Sequence, residues 1–408
     1  MDFLLIFSYM IQITFMCLGI YHFAISIFAF IPKEEKKIKR MKKHSFALIT
    51  SAHNEEAVIA NLVDSLKNLN YDNEKYDIFV IADNCVDNTA KVAKRAGAKV
   101  YERFDEKRGK GFALEWMFEK LFKMKKKYDF VAIFDADNLV SKDFLTAMNK
   151  RANQGHRVIQ GYLDSKNPND TWISYVHSMT YWIMNAFYQR ARYNVGLSNQ
   201  LGGTGFIMAT ELIKEYGWEA TCLTEDLEFS MKLALQGEKV AWANDAIVYD
   251  EKPLTMKASW NQRKRWMQGN ADVCFRFAGK LFRKGTKENR LFLFDNCLYM
   301  VQPMIFVVST VLMLLFGIVN NVTGNEMSVG NVIPSVITTG LFAVNFVWPI
   351  VVMALDKKFN KNTLIGYLVF LMFSFTWIPL IIIGVFNRKN TVWDHTKHTQ
   401  ALSLNEMV

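Results

Sequence analysis

Cysteine is scarce and scattered. The five residues, Cys17, Cys85, Cys222, Cys274 and Cys297, contain no C-x-x-C pair, which argues against a disulfide framework and against a zinc site. No G-x-G-x-x-G follows the first apolar strand and no Walker lysine motif occurs, so neither a dinucleotide site nor a P-loop is supported. The net charge of +10 comes without a base-reading motif or an aromatic-interleaved basic tract, which leaves nucleic acid without a case. Nothing repeats, and no low-complexity linker separates a further domain. The most informative absence is of charge. Residues 3–31, 332–355 and 364–386 hold no Asp, Glu, Lys or Arg, and residues 293–319 hold a single Asp. Each run meets or exceeds the roughly 20 apolar residues that cross a bilayer. The first is too long for a signal-peptide core and lacks a small-residue cleavage site, so it reads as a retained anchor. The basic block that follows it, KEEKKIKRMKKH at residues 33–44, places that side in the cytosol and the N-terminus outside. Its cations suit anionic lipid heads. A multi-pass plasma-membrane protein of a bacterium, with a cytosolic domain, is expected.

Between the anchor and the later apolar runs the sequence alternates. A strand at 45–50 runs through Ser51-Ala-His-Asn-Glu-Glu56 into an amphipathic helix ending near residue 69. A second strand, Tyr76-Asp-Ile-Phe-Val-Ile-Ala-Asp83, leads into a helix at 89–96. A strand at 99–101, a helix at 112–125 and a strand at 130–134 continue the series. This predicts an α/β domain with a doubly wound, Rossmann-like parallel sheet over about residues 45–145, its crossovers right-handed. The last strand, Val131-Ala-Ile-Phe-Asp-Ala-Asp-Asn138, runs straight into two carboxylates one residue apart. Ligands of open α/β sheets sit at such strand ends. Residues i and i+2 of an extended segment point the same way, so Asp135 and Asp137 can face one hard cation, Mg²⁺ or Mn²⁺, together with substrate phosphates. Aspartates also end strands simply as turn residues.

Further along, Trp172, Tyr175, Val176, Met179, Trp182, Ile183, Ala186 and Phe187 recur at helical spacing, which fits ordinary core or a helix at the membrane interface. Leu201-Gly-Gly-Thr-Gly205 is a turn that permits close backbone approach to a ligand. Leu223-Thr-Glu-Asp-Leu-Glu228 opens a helix that Thr224 can cap, with Glu225 and Asp226 favourable on its first turn. Ser259-Trp-Asn-Gln-Arg-Lys-Arg-Trp-Met-Gln-Gly269 is a basic-aromatic cluster of the kind that snorkels at a bilayer surface.

In order, Ser51–Glu56, Ala82-Asp83, Arg108-Gly-Lys-Gly111, Asp135-Ala-Asp137, Gly203-Thr-Gly205, Thr224-Glu-Asp226, Gln262-Arg-Lys-Arg265-Trp266 and Trp393-Asp-His-Thr396-Lys-His398 resemble the motifs of membrane-embedded processive family 2 glycosyltransferases. Cellulose, chitin, hyaluronan and poly-N-acetylglucosamine synthases form that group. The resemblance covers nearly the whole chain and implies a GT-A catalytic domain between N- and C-terminal transmembrane helices. It divides the chain into an anchor (1–31), a basic linker (32–44), the cytosolic catalytic domain (45–258), amphipathic interface helices (259–290), a C-terminal membrane region (291–386) and a cytosolic tail (387–408).

The resemblance also implies roles. Glu55 and Asp83 hold the nucleoside, Lys110 meets the diphosphate, and Asp135 and Asp137 hold the metal. Asp226 is the general base, and Arg265 stabilises the leaving diphosphate. Gly203, Thr204, Gly205, Glu225, Gln262 and Trp266 lie on the acceptor side, the indole of Trp266 forming a floor for the terminal sugar. Thr396 and His398 belong to a stretch that closes over the nucleotide, with His398 where relatives often carry Arg. The implied reaction is inverting transfer from a UDP-sugar, UDP-glucose by expectation, onto a growing β-linked glycan that is threaded across the membrane. Partners are the UDP-sugar, the glycan acceptor and membrane lipids. A poly-N-acetylglucosamine, chitin or hyaluronan product is an alternative, as is a glycolipid synthase adding one sugar to a lipid. A transporter with a nucleotide-binding domain is disfavoured by the lack of intramembrane charge pairs. One tension stands out: three full crossings after the catalytic domain would leave the tail outside. One segment is therefore expected to stop short or to hold two passes, with Pro303, Pro334, Pro349 and Pro379 as candidate breaks.

Overall fold

The computed structural model describes residues 2–35, 38–219, 222–323, 335–390 and 402–406. After the anchor helix α1 (Asp2–Ile27), strands β1 (Phe46–Ala52), β2 (Tyr76–Asp83), β3 (Lys99–Arg103) and β4 (Phe130–Asp135) pair in parallel in the order 3-2-1-4. Helices α2 (Ile59–Lys67), α3 (Thr89–Ala96) and α4 (Lys110–Lys123) make the crossovers. Phe46 to Ile49 of β1 are fully buried, as a strand covered on both faces requires.

The sheet does not stop there, and it is not all parallel. The chain continues through β5 (Leu139–Val140), α5 (Phe144–Asn153), β6 (Val158–Ser165), α6 (Trp172–Met184), a π-helical stretch (Asn185–Arg190), α7 (Ala191–Asn194), β7 (Phe206–Ala209), α8 (Thr210–Tyr216), α9 (Glu225–Leu235) and β8 (Val240–Asp250). The eight-stranded order is 3-2-1-4-7-6-8-5. Strand β7 is antiparallel to both β4 and β6, and β8 is parallel to β6. The expected parallel sheet is thus the first half of a mixed one. Polar residues hid the second half: β6 carries Gln160, Asp164 and Ser165, all buried. Strand β8 skips a register between its pairing with Gly161 and with Tyr162, leaving Asn244 and Asp245 exposed.

The broad aromatic helix is core. Tyr175, Met179 and Trp182 of α6 are buried, whereas Trp172 remains 56% exposed. The basic-aromatic cluster lies on one continuous helix, α10 (Met256–Glu288), which Thr255 caps by accepting from Ala258 N and which ends at Asn289 in a left-handed conformation. Then come α11 (Leu291–Thr323), α12 (Ser335–Leu355), α13 (Thr363–Phe375) and α14 (Trp377–Phe386). Among the described residues, three stretches are long and apolar enough to cross a membrane, Leu5–Phe30, Leu291–Val322 and Thr363–Phe386, and Phe346–Leu355 of α12 is a shorter apolar helix.

Pro303 and Pro349 lie inside unbroken helices, and Pro334 is outside the described residues. The break comes at Thr376, with Pro379 in the first turn of α14, where a missing N–H costs nothing. The α13–α14 segment is held against the catalytic region along its length. At its start Tyr175 donates to Asn360 Oδ1 (3.0 Å), at the bend Arg263 donates to Thr376 Oγ1 (2.7 Å), and at its end Gln268 donates to Asn387 O (3.3 Å). Two glycines allow this closeness. A Cβ on Gly366 would collide with the Tyr175 ring, and one on Gly384 would lie 2.6 Å from the Met267 backbone.

The lone Asp of the first C-terminal run also finds its reason. Asp295 is 2% exposed, accepts from Arg192 Nε (2.9 Å) and Nη2 (3.1 Å), and accepts from Tyr21 Oη (2.9 Å). It joins α11 to the catalytic region and to α1. Breaking a buried pair strands the remaining charge at a cost of about 3–5 kcal/mol. Asp295→Ala is expected to destabilise the protein by that order in thermal unfolding, while Lys43→Ala, which loses the exposed pair with Asp72, costs about 1 kcal/mol or less. Equal losses would show that the buried pair is not an anchor.

Candidate active site

Three strands end in aspartate: β2 at Asp83, β4 at Asp135 and β8 at Asp250. All three line one cavity of about 1360 Å³, together with Glu55, Lys110, Asp137, Gly203, Thr204, Glu225, Asp226, Gln262, Arg265 and Trp266. Of the residues expected at the site, Gly205 lies off the cavity wall. Its φ is 63°, and a Cβ there would sit 2.9 Å from Val248, so its task is backbone shape. Thr396 and His398 lie outside the described residues.

Two loops make the first end of the cavity. Asn54 and Asn84 both adopt positive φ, a conformation asparagine tolerates, and their turns are stitched together. His53 Nδ1 donates to Asp83 O (2.7 Å), Asn54 Oδ1 accepts from Val86 N (2.9 Å), and Thr89 Oγ1 accepts from Glu55 N (2.8 Å). Asp83 Oδ1 is taken by buried Arg103 (2.6 Å) and by Asn84 Nδ2 (3.1 Å). Burial raises the Asp83 pKa even though Arg103 opposes the rise.

At the centre Lys110 Nζ donates to Asp135 Oδ1 and to Gly203 O. Burial works against its charge, but Asp135, Glu225 and Asp226 outweigh burial and raise its pKa. Glu225 and Asp226 stand on the first turn of α9, and burial pushes both carboxyls up, with Asp135 adding to the rise. The expected cap does not form. Thr224 makes no side-chain cap to α9, because its side chain is pressed against α10 at Gly269, where a Cβ would lie 2.9 Å from Thr224 Cβ. Buried Gln160 supports the glycine turn, donating to Thr204 O (3.0 Å) and accepting from Gly202 N (2.9 Å). The Thr204 hydroxyl accepts from Asp135 N (3.1 Å) and donates to Asn138 Oδ1, so it sets the strand end that carries the carboxylates.

The donor chemistry here fits a hard divalent cation. The Asp135 side chain is 40% exposed to the cavity. Asp137 is held in place, Oδ2 accepting from Glu251 N (2.9 Å) and Oδ1 from Asn138 Nδ2 (3.4 Å). Asp250 is pushed up to about 6 by burial, with Asp137 and Asp135 adding to the rise against Lys252. Carboxylates that raise one another in this way lack positive charge. Among the described residues no three such side chains form a full ligand set; a hard cation held by one or two carboxylates takes its remaining ligands from water and substrate phosphates. Asp250 escaped the sequence reading, although Ile247-Val-Tyr-Asp250 ends in acid just as Ile81-Ala-Asp83 and Ile133-Phe-Asp135 do.

On the other wall, α10 presents Gln262, Arg265 and Trp266. Gln262 Oε1 is buried without a hydrogen-bond partner. Trp266 stacks near Trp377 of α14, 6.4 Å between centroids and 17° between planes. Arg263, fully buried, lies over Phe373 and Trp377 and so braces the helix from behind. The same cavity is also lined by Tyr181, Tyr188 and Tyr299, and reaches Gln302, Pro303 and Phe306 of α11.

Residues 44–269 match the family described as "Glycosyltransferase like family 2". The chain belongs to this family. Over 87% of its length the transferase is 24% identical to the probable glycosyltransferase YdaM of Bacillus subtilis (strain 168), covering 85% of that protein. It is 28% identical to a beta-monoglucosyldiacylglycerol synthase of Nostoc sp., over 55% of this chain and 48% of that one. It is 24% identical to the poly-beta-1,6-N-acetyl-D-glucosamine synthase of Staphylococcus aureus (strain COL), over 67% and 66%. The chain thus spans about half of the first of these two synthases and about two thirds of the second. Its fold is similar to that of the mannosyltransferase PcManGT from Pyrobaculum calidifontis, with a TM-score of 0.61, 15% identity, and coverage of 94% and 99%.

If Asp135 and Asp137 hold the metal, a chelator abolishes sugar transfer and Mg²⁺ or Mn²⁺ restores it. Asp137→Ala stays inactive at every metal concentration. Full activity in excess EDTA would remove the metal from the site.

Proposed function

We propose that this glycosyltransferase extends a β-linked hexose polymer from a UDP-sugar and passes it into the membrane region. The observation that carries this reading is the reach of the cavity to Gln302, Pro303 and Phe306 of α11, with aromatic rings and amides in its walls. Tyr181, Tyr188, Tyr299 and Trp377 offer flat faces, and Asn185, Gln189, Gln200 and Gln302 offer paired donors and acceptors. Sugars have apolar C–H faces that suit rings and hydroxyls that suit amides. A second reading, one sugar added to a lipid, draws on Met184, Phe306 and Ile381 in the same wall.

In this reading Glu55 and Asp83 bind the nucleoside and Lys110 the diphosphate. A cation on Asp135 and Asp137, when bound, supplies charge neutralisation at the leaving diphosphate. Asp226 takes the proton of the acceptor hydroxyl as that oxygen attacks the anomeric carbon from the face opposite the nucleotide. The linkage inverts. A carboxylate whose affinity for protons burial has raised is the stronger base for this step. Lys110 and Arg265 balance the charge that grows on the departing diphosphate. Gln262, with its unpaired buried oxygen, accepts from an acceptor hydroxyl, and Trp266 floors the terminal sugar.

The same reading orders the membrane segments. Helix α11 starts at the catalytic region through Asp295, and the chain after α12 returns to it through Arg190–Asp356 (2.7 Å) and Lys358–Asp164 (2.7 Å). With α13–α14 lying along α6 and α10, this reading takes α1, α11 and the uncharged run at 332–355 that contains α12 as the crossings, and residues 387–408 fall on the cytosolic side. A cysteine at Ser403 is expected to resist impermeant thiol reagents in intact cells and to react after permeabilisation, with signal from the native cysteines subtracted. Labelling from outside would refute this topology.

The reaction itself is tested with Asp226→Asn and a panel of labelled UDP-sugars. Transfer is expected to fall by roughly 10²–10⁴-fold with UDP-sugar affinity retained, and wild-type product is expected as long chains cut by a linkage-specific glycanase. A single-sugar lipid product would favour the second reading. Retained transfer, or loss of donor binding in step with activity, would remove Asp226 from the base role.

A further inference from the structure

A second cavity, about 300 Å³, shares Cys222 and Leu223 with the active-site cavity and opens between α10 and the chain leaving α14. Three cations line it, Arg276, Arg388 and Lys389, against one carboxylate, Asp272. Arg276 is committed, its Nη1 to Glu228 (2.8 Å) and its Nη2 to Asp272 (2.9 Å). Arg388 and Lys389 make no ion pair among the described residues. Arg388 lies over the Phe275 ring at 4.3 Å and donates to Val385 O (3.2 Å), and Lys389 is exposed. Directly around these cations the surface is apolar: Phe275 is 59%, Ile382 40% and Phe386 81% exposed.

Apolar anchors beside unpaired cations mark the depth at which phospholipid phosphates lie. We propose that this cavity binds the headgroup phosphate of an anionic phospholipid, held by Arg388 and Lys389 with Arg276 behind them. The site is wired to the reaction. Glu228, which pairs with Arg276, also accepts from Cys222 N (3.1 Å) and so holds the chain two residues before Thr224. A phosphate that draws on Arg276 changes the hold of Glu228 on that chain, and with it the setting of Glu225 and Asp226. Anionic lipid bound here therefore alters the rate of transfer, whichever acceptor the enzyme uses.

The test uses the full-length protein in phosphatidylcholine vesicles with and without phosphatidylglycerol, reading sugar transfer and, separately, phosphatidylglycerol retained on the protein by native mass spectrometry. Wild type is expected to retain the lipid and to transfer at a different rate when it is present. Arg388→Ala/Lys389→Ala is expected to lose about 30-fold in lipid affinity and most of that rate change, with its rate in phosphatidylcholine alone unchanged. Lys389→Glu serves where the double variant folds poorly. Lys280→Ala/Arg283→Ala, which removes cations of α10 outside the cavity, is expected to keep both responses. Equal losses in the two double variants would mean general surface attraction and overturn the site. The same rate change from inorganic phosphate or diphosphate in phosphatidylcholine vesicles would overturn the lipid assignment. Lipid retention is read without turnover, so a failure of the polymer reading leaves this result distinguishable.

Discussion

A shortage of positive charge at the ends of three strands governs this molecule. Asp135, Asp137, Asp250, Glu225 and Asp226 crowd one cavity with Lys110 as the central cation and Lys252 beside Asp250. Burial and mutual repulsion raise the proton affinities of Asp226, Glu225 and Asp250. Such an arrangement is costly while nothing else binds, and the surrounding fold is what keeps it assembled. Gln160, Thr204 and Asn138 fix the backbone beneath the carboxylates, and Gly269 lets α10 close against the Thr224 turn. The binding of cations and the taking of protons are two responses to the same excess charge.

The membrane segments extend that framework. The α13–α14 segment is apolar enough to cross a bilayer, yet it is bonded to α6 and α10 at its start, its bend and its end. Trp377 stacks near Trp266, and Arg263 lies over the rings of Phe373 and Trp377. The wall that carries Gln262 and Trp266 is thus built from an apolar segment and α10 packed face to face. Hydropathy reports only that the segment avoids water, and a helix buried on one side and facing lipid on the other satisfies that as well as a crossing does.

What could be read from the sequence depended on how the signal was written. The four parallel strands were legible because they are short, apolar and bounded by turns, and the motif residues because carboxylates, a lysine and an aromatic-basic cluster recur in a fixed order. Strands β6 and β8 were not, since Gln160, Asp164 and the looped-out Asn244 and Asp245 interrupt any apolar pattern. The role of Thr224 was misread because a cap is judged from local sequence, while its contact with Gly269 joins residues far apart in the chain. Asp250 went unnoticed for a related reason: nothing local marks the end of a strand that had not been recognised.

The Arg192–Asp295 pair has a consequence in time as well as in space. The two residues are 103 positions apart, and at 5–20 residues per second Arg192 leaves the ribosome about 5–20 s before its partner. Until α11 is made, a buried-type guanidinium beside α1 has no anion to meet, so the base of the catalytic domain cannot close. The domain is therefore finished only once the first helix of the C-terminal region has been delivered. The contact that ties α11 to the α/β domain and to α1 thus forms late, after every strand of the sheet has been made.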